Sequence, residues 1–256
     1  MKEIKQLIKA YKEADPPTKR QASLPLVVFD HLLAQTDSSV GEAVGQLAGG
    51  ALFFAMRSCE YSTTGERNPK TKRLRLRNIT FYDEGGKRIT TRLAMAKTVK
   101  VTFENQKNGE KMESIVRTRK KEFTELDPVV LWARVVTRIQ KMEGTGPNTF
   151  VNTVCENGRL YEITAAMVRS HIKAAVQVLN DRGNDTRVSP LEVGTHSIRS
   201  SFATLLANRG VNEKKIMLHG RWKSDTFMKY IRKDVVNLDI TTKISTLKNH
   251  NVRRLI

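Results

Sequence analysis

Between residues 73 and 119 the apolar side chains change period, and that switch constrains the fold of this chain more than any other feature. Leu74, Leu76, Ile79 and Phe81, then Val99, Val101 and Phe103, then Ile115, alternate with polar residues. This is the two-residue repeat of half-buried strands. Gly85-Gly86 and Asn108-Gly109 supply hairpin turns between them. On either side the repeat is helical. Residues 25–35 predict a short helix. Residues 41–61, rich in small side chains (Gly45, Ala48, Gly49, Gly50, Ala51), predict a buried helix whose backbone approaches its neighbours closely. From Asp127 onward the pattern predicts helices over 128–142, 164–182, 196–208, 213–219 and 225–232. Residues 3–14 predict one more helix, with Ile4, Leu7, Ile8 and Tyr11 on one side, and Asp15-Pro16-Pro17 breaks it. The expected fold is mainly α with a small antiparallel β-sheet inserted, an α+β class.

Charge narrows the partner. Lys and Arg number 45 against 26 Asp and Glu, a formal charge of +19 with a pI near 10.1. Residues 61–121, the stretch holding the expected sheet, contain 17 Lys or Arg and 6 Asp or Glu. Whole-chain and local charge thus agree on a polyanionic partner. No apolar run approaches the roughly 20 residues that span a bilayer, and the first residues, Met1-Lys2-Glu3-Ile4-Lys5, lack the apolar centre of a signal peptide. Cys59 and Cys155 stand far apart, in no metal-type spacing and with no disulfide framework. An intracellular protein working on nucleic acid is the class that remains.

Four segments place phosphate-binding or proton-transferring groups at tight spacing. Arg57 closes the apolar helix, with Glu60 three residues on to partner its guanidinium. Thr195-His196-Ser197-Ile198-Arg199 starts a helix, with Thr195 as the expected cap; His196 and Arg199 project from one side of a first turn whose backbone N–H groups favour anions. Leu218 to Arg232 packs His219, Arg221, Trp222, Lys223 and Tyr230 into a helix–turn–helix. A phenol is a poor nucleophile at neutral pH, and neighbouring cations help it ionise. Glu104 to Lys111 is a hairpin tip from which Lys107 can reach into a groove as an acid. Taken singly, each has an ordinary reading: a helix-end ion pair, an amphipathic helix start, core aromatics, a solvated turn lysine.

Taken in order, Arg57/Glu60, Lys107, His196/Arg199, Trp222 and Tyr230 resemble the catalytic domain of tyrosine recombinases of the phage-integrase type, whose pattern is Arg-x-x-Glu/Asp, a hairpin Lys, His-x-x-Arg, a His or Trp, then Tyr. The resemblance covers roughly residues 22–235. Residues 1–21 are then a helix and linker left from a core-binding domain, and 236–256 a C-terminal helix and tail. Trp222 and Tyr230 stand eight apart, one short of the family spacing, which would place Arg221 there; His219 is a third candidate. Lys-Ser-Asp after Trp222 favours Trp222. For the lysine, Lys111 and Lys100 stand behind Lys107.

The resemblance implies DNA breakage and rejoining through a 3′-phosphotyrosyl intermediate, with Tyr230 as nucleophile. Arg57 and Arg199 would hold the phosphate and Lys107 would protonate the leaving oxygen. His196 would assist proton transfer or bond the phosphate, Trp222 would wall the site, and Glu60 would orient Arg57 or His196. Lys100, Lys111, Arg221 and Lys223 are expected to bind DNA. No metal or cofactor is implied; the partners are double-stranded DNA and, through the tail, further copies of the chain in a dimer or tetramer. A DNA-associated, intracellular location follows. The alternatives are a DNA-binding module without catalysis, a type IB topoisomerase with the same chemistry, and a basic RNA-binding or ribosome-associated protein.

Overall fold

A computed structural model describes residues 21–65, 70–106, 109–119, 125–184, 186–224 and 228. The helices expected over 3–14 and 225–232, the C-terminal segment, Lys107 and Tyr230 lie outside the described residues.

The core forms around a helix that can be buried on every side. Helix α1 (Leu26–Leu33) leads to α2 (Ser39–Phe53), which Ser38 caps by accepting a hydrogen bond from the Gly41 N–H at 2.9 Å. From Ala43 to Phe53 every residue of α2 is buried. Its small residues permit this: a Cβ on Gly45 would stand 2.3 Å from the Leu32 carbonyl oxygen, and one on Gly50 would press on Trp132. The expected close approach is therefore present. The expected single helix over 41–61 is not. Its backbone breaks after Phe54, where Ala55 adopts a left-handed φ of 46°, and resumes as the short α3 (Ser58–Tyr61).

The sheet contains β1 (Ile79–Tyr82), β2 (Arg88–Ile89), β3 (Thr98–Asn105) and β4 (Lys111–Thr118), in the order β2-β1-β3-β4 and antiparallel throughout. Val101 pairs with Ile79 on one side and Ile115 on the other. Ile79, Phe81, Val99, Val101 and Phe103 point into the core, as the alternation requires. Leu74 and Leu76, expected in a strand, precede the sheet instead. Their N–H groups go to the Glu60 and Thr149 carbonyls, and Leu76–Asn78 forms a 3-10 turn.

Helix α4 (Pro128–Gln140) begins at Asp127, whose carboxylate accepts from the N–H groups of Val129 and Val130 at 2.8 and 3.0 Å. It places Val129, Leu131, Trp132, Val135 and Ile139 in the core. The chain beyond it is not wholly helical as expected: β5 (Thr153–Glu156) and β6 (Arg159–Glu162) make a second hairpin. Its turn is Asn157-Gly158, both at positive φ (51° and 73°), the left-handed pair a tight hairpin demands. Helices α5 (Ala165–Asp181), α6 (Thr195–Asn208) and α7 (Glu213–His219) complete the fold, mainly α with a small antiparallel sheet. Among the described residues no helix is long and apolar enough to cross a membrane.

Candidate active site

The break after α2 builds the first part of the site. With Phe54 and Ala55 turned out of helical geometry, Arg57 sits at the start of α3 and Glu60 folds back beneath it. The Glu60 carboxylate accepts from the Arg57 N–H at 2.8 Å and from Arg57 Nη1 at 3.2 Å. Glu60 is wholly buried, so two hydrogen bonds from a neighbour would not suffice. The remainder come from Arg221, whose Nη1 and Nη2 grip the same carboxylate at 3.0 and 2.8 Å. Such a bidentate pair is the strong form of the interaction.

Arg221 therefore is not a surface DNA contact. It is 4% exposed. Besides Glu60, its Nη1 donates to Gln106 Oε1 at 2.7 Å, its Nη2 donates to the Phe54 carbonyl at 3.2 Å, and its guanidinium lies 3.7 Å over the Phe103 ring. The expectation of a DNA-facing side chain fails because the one buried carboxylate of this region needs a cation, and the turn after α7 supplies it with Arg221 at φ 56°.

The second part comes from α6. Arg199 is buried, donates from Nη2 to the Gly220 carbonyl at 2.6 Å and lies 4.3 Å over the Trp222 ring. Trp222 stacks in turn on Phe202, with centroids 6.4 Å apart and planes at 28°. Gly220 is the residue that admits this stack: a Cβ there would fall 1.3 Å from Trp222 Cζ3. His196, three residues before Arg199 on the first turn of α6, is exposed. The cap position is Gly194 rather than the expected Thr195, which is the first residue of the helix. The His196 N–H donates to Gln21 Oε1 at 2.8 Å, so one of the backbone donors expected for an anion is already engaged.

The electrostatics of the cluster are lopsided. Burial by itself would raise the Glu60 carboxyl, but Arg221 first, then Arg199 and Arg57, offset this and hold it below the usual carboxylate range. Three guanidiniums thus act on one carboxylate. Arg117, donating to the Phe53 carbonyl at 3.0 Å, adds a fourth nearby cation; burial and then Arg221 push it down to about 10. On the α7 side, burial and then Arg117 and Lys215 push His219 down to about 4, so it is neutral at pH 7. A region with surplus fixed positive charge and a partly exposed member, Arg57, is suited to receive an anion whose oxygens complete the arginine bonds. Among the described residues no three His, Cys, Asp or Glu side chains gather as a metal site.

The structure thus brings together Arg57, Glu60, Arg199 and Trp222, with His196 joined to them through α6. It does not gather the other lysines. Lys100 lies on the outward side of β3, 5.8 Å from the Tyr82 ring centroid; Lys111 opens β4 in solvent; Lys223 pairs with Glu110 at 2.7 Å. Much of the basic stretch is also committed internally. Arg73 pairs with Glu162, Arg77 and Lys72 share Glu104, and Arg73 and Arg75 lie 3.8 and 4.1 Å over Phe150. Sequence reasoning missed Gln106, Arg117 and Gln21. Gln106 stood beside Lys107 in the hairpin tip, but nothing local marked it as buried.

No family model and no curated protein matches the sequence. Solved structures do. The XerH site-specific recombinase bound to palindromic difH substrate, a post-cleavage complex, matches with a TM-score of 0.51 at 13% identity, over 82% of this chain and 50% of that one. The Tn1549 transposon integrase (aa 82–397) in complex with circular intermediate DNA gives 0.45 at 18%, over 85% and 63%; XerA recombinase gives 0.43 at 13%, over 88% and 62%. The chain spans between half and just under two thirds of the length of these proteins. At such identities the likeness is one of fold.

Proposed function

We propose that this chain, whose fold is that of the tyrosine recombinase catalytic domain, breaks and rejoins DNA with Tyr230 as the nucleophile. The observation that carries the reading is the convergence of Arg57, Arg199 and Arg221 on the buried Glu60, with Trp222 beside Arg199; Tyr230 follows eight residues later in the sequence. The XerH and Tn1549 proteins are seen with DNA, and the charge of +19 fits the same partner here.

In this mechanism the Tyr230 oxygen attacks a backbone phosphorus and loses its proton, with His196 assisting. The bond from phosphorus to the 5′-oxygen breaks, and Lys107 gives that oxygen its proton. A 3′-phosphotyrosyl bond remains, and a 5′-hydroxyl from another strand reverses the step. Arg57 and Arg199 hold the non-bridging oxygens as charge builds on them. Removing one such donor is expected to cost about 3 kcal/mol in the barrier. Glu60 keeps Arg57 in place; Trp222 keeps Arg199 in place. Lys100, Lys111 and Lys223 contact the duplex outside the reacting phosphate. The C-terminal segment links copies of the chain into dimers or tetramers on DNA.

The test is covalent capture. Nicked duplexes of randomised sequence, which lose the 5′-fragment after cleavage, are incubated with the chain and the protein-bound DNA is sequenced. Wild type is expected to form adducts on a defined site. Tyr230→Phe is expected to form none while binding the same DNA. Cleavage by Tyr230→Phe at the wild-type rate removes the assignment. Relaxation of supercoils without strand exchange would instead mark a topoisomerase, and binding without adducts a DNA-binding module.

A further inference from the structure

The hairpin between β3 and β4 is tied to the turn after α7. Gln106 precedes Lys107, is 1% exposed, and accepts from Arg221 Nη1 at 2.7 Å through Oε1. Its Nε2 donates to Glu113, across the same hairpin. One amide therefore satisfies a cation and a carboxylate at once, which neither a carboxylate nor an apolar side chain can do. Phe103, on β3, packs beneath the same Arg221 guanidinium. At the other side of the tip Glu110 pairs with Lys223. Thus two hairpin-tip residues, Gln106 and Glu110, meet two residues of the turn after α7, Arg221 and Lys223. The outer pair is half exposed and contributes little; the buried pair carries the connection.

We infer that Gln106 and Arg221 form a clasp that fixes the β3–β4 hairpin against the turn after α7, making Gln106 a positioning residue for the next residue in sequence, Lys107, in protonation of the leaving oxygen. This rests on the proposed function. Arg221 grips Glu60 through both Nη atoms, apart from its bond to Gln106, so the Glu60 anchor of Arg57 remains when Gln106 is lost. Loss of the Gln106 amide frees the hairpin tip without removing any group that touches the phosphate.

The test uses the duplex recovered by covalent capture, made in two forms that differ in the bridging 5′ atom. With oxygen there, the leaving group needs a proton from Lys107. With sulfur, a thiolate leaves without one, because a thiol is far more acidic than an alcohol. In single-turnover cleavage, Gln106→Leu is expected to slow the oxygen substrate about 10- to 100-fold, the scale of a misplaced acid. It should leave the sulfur substrate and DNA affinity unchanged. Gln106→Glu combined with Glu113→Gln exchanges the two groups, keeps both hydrogen bonds, and is expected to restore the oxygen rate. Equal slowing of both substrates, or of neither, overturns the inference. Should wild type form no adduct on either substrate, the proposed function falls, and the clasp is then judged on the free protein. The Gln106 and Gly109 amides, bonded to the Glu110 and Gln106 carbonyls, are expected to exchange hydrogen faster in Gln106→Leu; unchanged exchange overturns the clasp itself.

Discussion

Removing the charge of Glu60 is expected to unfold this protein more readily than almost any other single polar substitution in the site. Glu60→Gln keeps the shape of the side chain but leaves Arg221 without its counter-ion. The Arg221 side chain has no exposure, and Arg199 and Arg117 are buried close by. A buried pair broken on one side costs about 3–5 kcal/mol, because the surviving charge stays desolvated. Glu60 accepts four hydrogen bonds, including the Arg57 N–H, which places the expected loss in the upper half of that range. In a domain of this size, about 4 kcal/mol lowers Tm by roughly 8–16 °C. Urea unfolding at pH 7 measures it: the midpoint should fall with the slope unchanged. Because the pair is buried, added salt should not reduce the difference. Glu60→Leu with Arg221→Met removes both charges and should be less destabilised than the two single changes summed, by roughly 2 kcal/mol. A loss below about 1 kcal/mol for Glu60→Gln, or strict additivity in the double variant, would refute the argument that Arg221 is held there by Glu60.

Gly220→Ala should expel Trp222 from between Phe202 and Arg199, costing about 3 kcal/mol in urea unfolding from lost ring burial and stacking; retained Trp222 fluorescence and stability would contradict it. His219 takes up its proton near 6.5 when unfolded but only near 4 when folded. The unfolded state therefore binds more protons between these values, and stability should decline as pH falls from about 6.5 to 4. His219→Gln should flatten that part of the curve, by about 1–2 kcal/mol once partial exposure is allowed for; an unchanged acid limb speaks against a buried neutral imidazole. DNA affinity should fall steeply with salt, about 0.9 logarithmic units per phosphate contact for each tenfold rise in salt. Lys111→Ala and Lys223→Ala should each lower that slope by about one contact, whereas a flat response would mean the basic stretch does not meet phosphate.

Local rules made part of this legible in advance. The small residues of α2 announced a helix buried on all sides, because glycines at helical spacing have no other use there than close approach. The alternation at Val99, Val101 and Phe103 announced a half-buried sheet. The β5–β6 hairpin left an equally local mark, the Asn157-Gly158 dipeptide, between the helices expected over 128–142 and 164–182. Other features had no local mark. Arg221, Lys223 and Arg232 look alike along the chain, and Arg221 is buried only because Glu60, 161 positions earlier, needs a cation. Gln106 is buried for the same reason at one remove. The break at Ala55 reflects the same demand: the Phe54 carbonyl, freed from helical pairing, accepts from Arg221. Of the candidate cluster, the Arg57–Glu60 pair was legible from its three-residue spacing, while the Arg221 grip on Glu60 and the Trp222 ring under Arg199 were not.

The most direct measurement is the position of the DNA-linked residue. Trypsin cuts after Lys229 and Arg232, releasing Tyr230-Ile231-Arg232 as its own peptide. Covalent complexes digested with nuclease and trypsin should carry the residual nucleotide on that peptide, through its phenolic oxygen and a 3′-phosphate. A nucleotide on a peptide containing Tyr61, Tyr82 or Tyr161, or attachment through a 5′-phosphate, would contradict the account.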